Sequence, residues 1–202
     1  MRKSRPSKVD KKALIVNTAI SCFIKNGVAQ TRMAEIAQEA KIDHPLIHYY
    51  FAEMDELYLE VINVVLNSLK QISVEPASMH AHDPKRALLV YVRSYFTWTK
   101  KNPGLFSIWN YFYYLATYNP KFSELNRMIR ETGRNRIATF IYQGIEAGHF
   151  KLPKNRTVSQ TALVIQGLIT GNTIMAYTEG SDVDSKLFAD ATENAVMDLL
   201  SH

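Results

Sequence analysis

A single cysteine, Cys22, stands among the 202 residues, which excludes an internal disulfide and fits a reducing compartment. It sits in an apolar helical stretch, so a small buried hydrophobe is its expected role. No window approaches roughly 18 uninterrupted apolar residues, and a membrane-spanning helix is not expected. The opening MRKSRPSKVDKK has no apolar core of the kind a signal peptide needs, so the expected location is the cytoplasm. Alternating apolar and polar runs between turn residues are missing, and so is an internal repeat of fixed period; sheets and solenoids drop out. Also lacking are a phosphate-cradling loop, a dinucleotide fingerprint and a nucleophile–base–acid arrangement. Glu124, Glu131 and Glu146 are scattered along a polar helix face, where solvation is their expected state. Neither enzymatic activity nor a cofactor is therefore expected.

What is present is an ordinary globular composition, 47% apolar and 21% charged, with room for one domain or two. The net charge of +5 is localised. Arg2, Lys3, Arg5, Lys8, Lys11 and Lys12, set against Asp10, account for all of it, and residues 13–202 are neutral. A basic arm on a neutral body suits a local polyanion contact, although a solvated terminus of this composition is at least as common.

Helical periodicity runs through the rest. Ile15, Ala19 and Phe23 recur every four residues up to Asn26-Gly27, a helix stop, predicting a first helix over 9–26. Thr31 is placed to cap a short second helix over 32–39, and Asp43 to cap a third over 44–50 with Pro45 in its first turn. A longer helix starts at about Met54, and the stretch SVEPASMHAHDP (73–84) is expected to break it. His80 and His82 fall in that stretch, as solvated loop residues. Further helices are predicted over 85–101, 103–118, 120–147, 157–178 and 182–200. The expected fold is all-α, about nine helices, opening with a three-helix unit that contains a helix-turn-helix.

On the third helix Ile47, Tyr50 and Phe51 share one face, with Ile36, Ala37, Ala40 and Ile42 as its expected packing partners. That leaves His44, Pro45, His48 and Tyr49 as an outward stripe on a short helix, the shape a DNA major groove admits. Two histidines four apart also suit a shared metal ion. The metalloprotease pattern, however, needs glutamate directly after the first histidine, and Pro45 stands there. Asp43 is committed as a cap and no cysteine is near, so no metal site is expected.

Gly27, Thr31, Ile36-Ala37 and Ala40 stand in a G-x3-T-x4-I-A-x2-A frame. Leu46 to Phe51, LIHYYF, stands against a T-L-Y-x-Y-F run, and Asp55 and Leu57 fall where an acidic residue and a leucine open the next helix. On these residues, over 13–57, the chain resembles the TetR family of transcriptional regulators. Lys41 replaces the family's usual turn glycine, Pro45 a frequent glycine, His48 a tyrosine and Met54 a lysine. The resemblance implies a DNA-binding domain over 1–54 and a ligand-binding and dimerisation domain over 55–202. It further implies DNA contacts by Arg5, Lys8, Thr31, Arg32, Lys41, His44, Pro45, His48 and Tyr49, with a double-stranded operator as partner.

Half of the 22 aromatic residues fall within 91–118. Singly, each is most simply a core residue; together, their excess of Tyr and Trp suggests a cavity offering ring faces and hydroxyl donors. Tyr91, Tyr95, Trp98, Trp109, Phe112 and Tyr113 are the candidate ligand-binding residues. The expected effector is a small, mainly apolar or aromatic molecule, or a flat cation held on ring faces. Family resemblance implies a homodimer built from the last two helices, making Gln166, Gly167, Thr170, Gly171, Ile174, Phe188, Ala191, Ala195 and Leu199 interface candidates. The expected function is a ligand-responsive repressor on a palindromic operator. The alternatives are an all-α enzyme using the aromatic cavity, or a DNA-binding adaptor without effector.

Overall fold

The computed structural model describes residues 8–180 and 184–201, with side chains from Asp10 onward; the Arg2–Arg5 part of the basic arm lies outside. Nine α-helices account for the described chain, joined by short turns, and the regular elements include no strand. They are α1 (Lys8–Asn26), α2 (Met33–Glu39), α3 (His44–Tyr50), α4 (Met54–Ser78), α5 (Pro84–Lys101), α6 (Pro103–Leu115), α7 (Pro120–Glu146), α8 (Val158–Thr178) and α9 (Ser185–Leu199). The all-α expectation holds. Among the described residues no helix is long and apolar enough to cross a membrane.

Packing divides the chain into two compact units, one of residues 1–67 with 104–112, the other of 68–103 with 113–202. In the first, Ile15, Ala19 and Phe23 of α1 are buried together with Ile36 and Ala37 of α2 and Ile47 of α3. Leu57, Tyr58, Val61 and Val65 of α4 supply the same core, and the Tyr58 hydroxyl donates to the Ile108 carbonyl at 2.6 Å. Residues 104–112 of α6 thus pack within this first unit, against α1 and α4. Gly104 permits this: a Cβ there would come within 2.7 Å of Ile24 Cδ1 on α1.

The core of the second unit is built by Leu88, Tyr91, Val92 and Phe96 of α5, Ile137 and Ile141 of α7, Ile165 and Ile169 of α8, and Val196 of α9. Arg93 ties α5 to α9 by ion pairs to Asp190 and Glu193. Gly144 accepts the ring of Phe150 at the end of α7; a Cβ at 144 would fall 1.9 Å from Phe150 Cδ2.

Several boundaries differ from expectation. The helix from Met54 does not stop at residue 73 but continues to Ser78 with Pro76 inside it. Pro76 lies in the last turn, and Ser73 and Ala77 are buried, so packing carries the helix past one missing N–H. Helix α6 ends at Leu115, three residues early, in a turn through Tyr118. The start expected at residue 182 falls partly on the undescribed 181–183; α9 begins at Ser185, capped by the Asp184 carboxylate accepting from Lys186 N–H.

Candidate functional site

The turn between α2 and α3 is set by Lys41, whose φ of 54° makes it the one non-glycine residue in left-handed backbone among those described. Such a conformation brings Cβ close to the following carbonyl, and glycine escapes that cost. The backbone then closes compactly, with Ile42 N–H donating to the Ala37 carbonyl at 3.0 Å. This turn aims α3 outward.

On α3, Ile47 is fully buried, Phe51 nearly so and Tyr50 partly, while His44, Pro45, His48 and Tyr49 are exposed, Tyr49 at 67%. The two histidine rings meet edge-on with centroids 4.7 Å apart, and His48 Nδ1 lies 3.4 Å from the Ala52 carbonyl. No group of three or more metal-ligating side chains occurs among the described residues. What the stripe presents is two imidazoles and a phenol, all able to hydrogen-bond phosphates or base edges. Arg32 and Lys41 are exposed beside it.

Two expected caps fail for identifiable reasons. Thr31 does not cap α2; its buried hydroxyl donates back to the carbonyls of Gly27 at 2.8 Å and Cys22 at 3.4 Å, closing the short 3-10 turn Val28–Gln30. The cap position belongs to Arg32, whose N–H donates to the Glu35 carboxylate at 3.2 Å. Asp43 does occupy the cap position of α3 with Pro45 in the first turn, but its carboxylate accepts no amide. The Thr31 hydroxyl is therefore turned inward, and Asp43 is exposed. Within the basic arm, Lys12 pairs with Glu60 at 2.6 Å and lies over the Phe51 ring, so it braces α1 against α4. Lys8 opens α1, its side chain outside the described residues, as is Arg5 altogether.

The six candidate ligand-binding aromatics fall in both packing units. Trp109 and Phe112 stack at 5.2 Å in the first, where both are buried. In the second, Tyr91 and Tyr95 share a hydrogen bond of 2.7 Å, and the buried Trp98 indole donates to Ser68 Oγ at 3.0 Å. Burial, and then the adjacent Tyr91, push the Tyr95 phenol well above its usual range. The Arg130 guanidinium lies 4.8 Å from the Tyr113 ring centroid and that of Arg136 lies 5.9 Å from Tyr91. Neither arginine was singled out from sequence. Arg130 carried a signal, since it lies in helical register with the apolar Ile137 and Ile141, where a core residue is expected.

Helix α8 is apolar on two sides. Ala162, Ile165, Ile169 and Thr173 are buried inward, while Leu163, Val164 and Met175 are exposed outward, Leu163 at 56%. Gly167 and Gly171 lie on the outward side, where an added Cβ would meet nothing within 4 Å. Thr170 and Ile174 are partly exposed there; Gln166 is engaged with α7, donating to the Arg130 carbonyl and accepting from Arg134. On α9, Leu187 and Ala191 are exposed and Phe188, Ala195 and Leu199 partly so.

Residues 15–61 match the family model described as bacterial regulatory proteins, tetR family. Among curated proteins, the HTH-type transcriptional regulator BetI of Agrobacterium fabrum is 29% identical over 99 residues, 49% of this chain and only 48% of that protein. BetI of Paraburkholderia xenovorans is 23% identical over 190 residues, covering 94% of this chain and 93% of its own length. A solved transcriptional regulator from Saccharomonospora viridis, in complex with choline, superposes with a TM-score of 0.81 at 19% identity, over 96% of this chain and all of that one. That last likeness is one of fold. The helix-turn-helix geometry and the match over 15–61 agree: residues 15–61 carry the DNA-binding domain of the tetR family of bacterial regulatory proteins.

Proposed function

We propose that the protein is a ligand-responsive repressor that binds a palindromic DNA operator as a homodimer and is released by a small apolar or aromatic effector. Residues 1–54 form the DNA-binding domain and 55–202 the effector-binding and dimerisation domain. The observation that carries this reading is the exposed stripe of His44, Pro45, His48 and Tyr49 on a short helix held from behind by Ile47 and Phe51. In a dimer the two copies of α3 must stand about 34 to 36 Å apart to enter successive major grooves. The outward apolar side of α8, with two glycines open to close approach, supports a helix-to-helix dimer contact. Ligand response is supported by the tyrosine-rich interior and by the choline held by the Saccharomonospora relative. An effector that binds better to a splayed dimer shifts the population away from DNA, by no more than its differential affinity. Helix α4 is the lever, running from beside the reader into the second unit.

Selection of bound sequences from a random DNA pool, followed by anisotropy titration, tests this. A two-fold symmetric motif bound far more tightly than scrambled DNA, with affinity falling steeply in salt, is the expected result. Binding without sequence preference, or none, would overturn the reading. Removing residues 1–8 is expected to weaken all DNA binding and flatten the salt slope; an unchanged slope removes the arm from the interface.

A further inference from the structure

On α7, residues 126, 130, 133, 137, 141 and 144 are spaced by four, three, four, four and three, and so form one stripe. Its C-terminal half is apolar and buried, with Ile137, Ile141 and Gly144. Its N-terminal half is Asn126, Arg130 and Gly133, polar groups in positions that continue the core face. Asn126 Oδ1 is buried with no hydrogen-bond partner, and turning that amide over presents N–H donors at the same place. Gly133 lets the Gln166 side chain approach the middle of the stripe; a Cβ there would lie 2.9 Å from Gln166 Nε2 and 3.9 Å from the Tyr91 hydroxyl.

Around this stripe the charges do not balance. Arg130, Arg134 and Arg136 are all partly buried. The carboxylate pairings among the described residues are those of Lys12, Arg93 and Arg127, so none of the three is neutralised. Arg130 and Arg136 lie on the faces of Tyr113 and Tyr91. Tyr91 and Tyr95 hold two phenolic protons between them, and their mutual bond uses one. The other remains for an acceptor. Partly buried cations without a carboxylate partner, beside a spare O–H donor, are further stabilised by an anion.

We propose that Arg130 and Arg136 of α7, which lie over the Tyr113 and Tyr91 rings, recognise the carboxylate of a small organic acid. The assignment rests on the effector-responsive reading above and names the chemical class of effector. A guanidinium fork matches a carboxylate in two parallel hydrogen bonds. A quaternary ammonium ligand fits poorly, because the tyrosine faces that would hold it already carry guanidinium groups and its charge has the same sign.

The full-length protein is to be tested by thermal shift and calorimetry with three matched sets of probes. These are benzoate and short fatty carboxylates, their primary amides, and choline with other trimethylammonium compounds. Saturable binding by carboxylates, at least about tenfold weaker for the amides and absent for the ammonium set, is the expected pattern. Arg130→Gln is expected to weaken the carboxylate at least about tenfold, with Arg130→Lys in between because charge stays and the fork is lost. Operator affinity without probe serves as the control for folding, and Arg136→Gln as the second variant should one fail it. Ammonium compounds binding as well as acids, amides equal to acids, or affinity unchanged in both variants would each overturn the assignment. Carboxylate binding that leaves operator affinity unaltered retains the site and overturns the effector reading; no binding by any set overturns the acid assignment.

Discussion

Lys41 serves two demands that pull in opposite directions. Its left-handed backbone costs the fold about 1 kcal/mol that glycine would not incur, while its exposed ammonium stands beside the DNA-facing helix. Lys41→Gly is therefore expected to raise the urea midpoint and weaken operator binding; a loss of stability would show that the turn is held otherwise than described. His44→Ala with His48→Ala should do the reverse of a core mutation, changing stability by no more than about 0.5 kcal/mol while reducing DNA affinity. The buried phenols set an alkaline limit. Burial raises Tyr95 and Tyr58 above their ordinary value, so both fold best when protonated. Their contribution is complete below about pH 10, where the unfolded phenol titrates, and is lost as pH rises beyond it. Tyr58→Phe and Tyr95→Phe should flatten the decline in melting temperature between pH 9 and 11. At this scale the sequence was a partial guide. It located Thr31 and Asp43 at helix entrances, but the rotamer was decided by local competition: Thr31 found two carbonyls behind it, and Asp43 found no amide.

Elements were more legible than residues, because burying one face of a helix imposes a periodicity that survives any single exception. Helices α1, α5, α7 and α8 fall within a residue or two of the periodic spans. The failure at Pro76 is instructive: a proline reads as a stop, yet in a last turn only one hydrogen bond is at stake, and the buried Ser73 and Ala77 outweigh it. Close approaches were invisible for the opposite reason, since a glycine inside a helix gives no hint of what lies against it. Gly144→Ala is expected to cost about 1 to 3 kcal/mol, because its methyl would enter the Phe150 ring; unchanged thermal stability would mean the ring can move aside.

For the molecule as a whole, assembly is the property on which the proposed mechanism depends. In an isolated chain Gly167 has open space beyond it, so Gly167→Leu should leave a monomer folded and, if anything, favour its helix. In a dimer closed through α8, the same change is expected to shift sedimentation toward the monomer and lower operator affinity together. A dimer undisturbed by leucine at 167 would place the contact elsewhere. The helix-turn-helix was legible in residues 13–57 because its spacing is fixed by the packing of three successive helices. The surroundings of the aromatic rings were not, because they depend on which side chains from α5, α6 and α7 meet.

Phe112 is fully buried and packs with the DNA-reading unit; Tyr113, the next residue, belongs to the other unit and carries the Arg130 guanidinium on its ring. Neighbouring residues of one helix thus serve different interiors. Tyr113→Ala should accordingly weaken acid binding at unchanged operator affinity, while Phe112→Ala should lower the melting temperature of the unit that carries the helix-turn-helix.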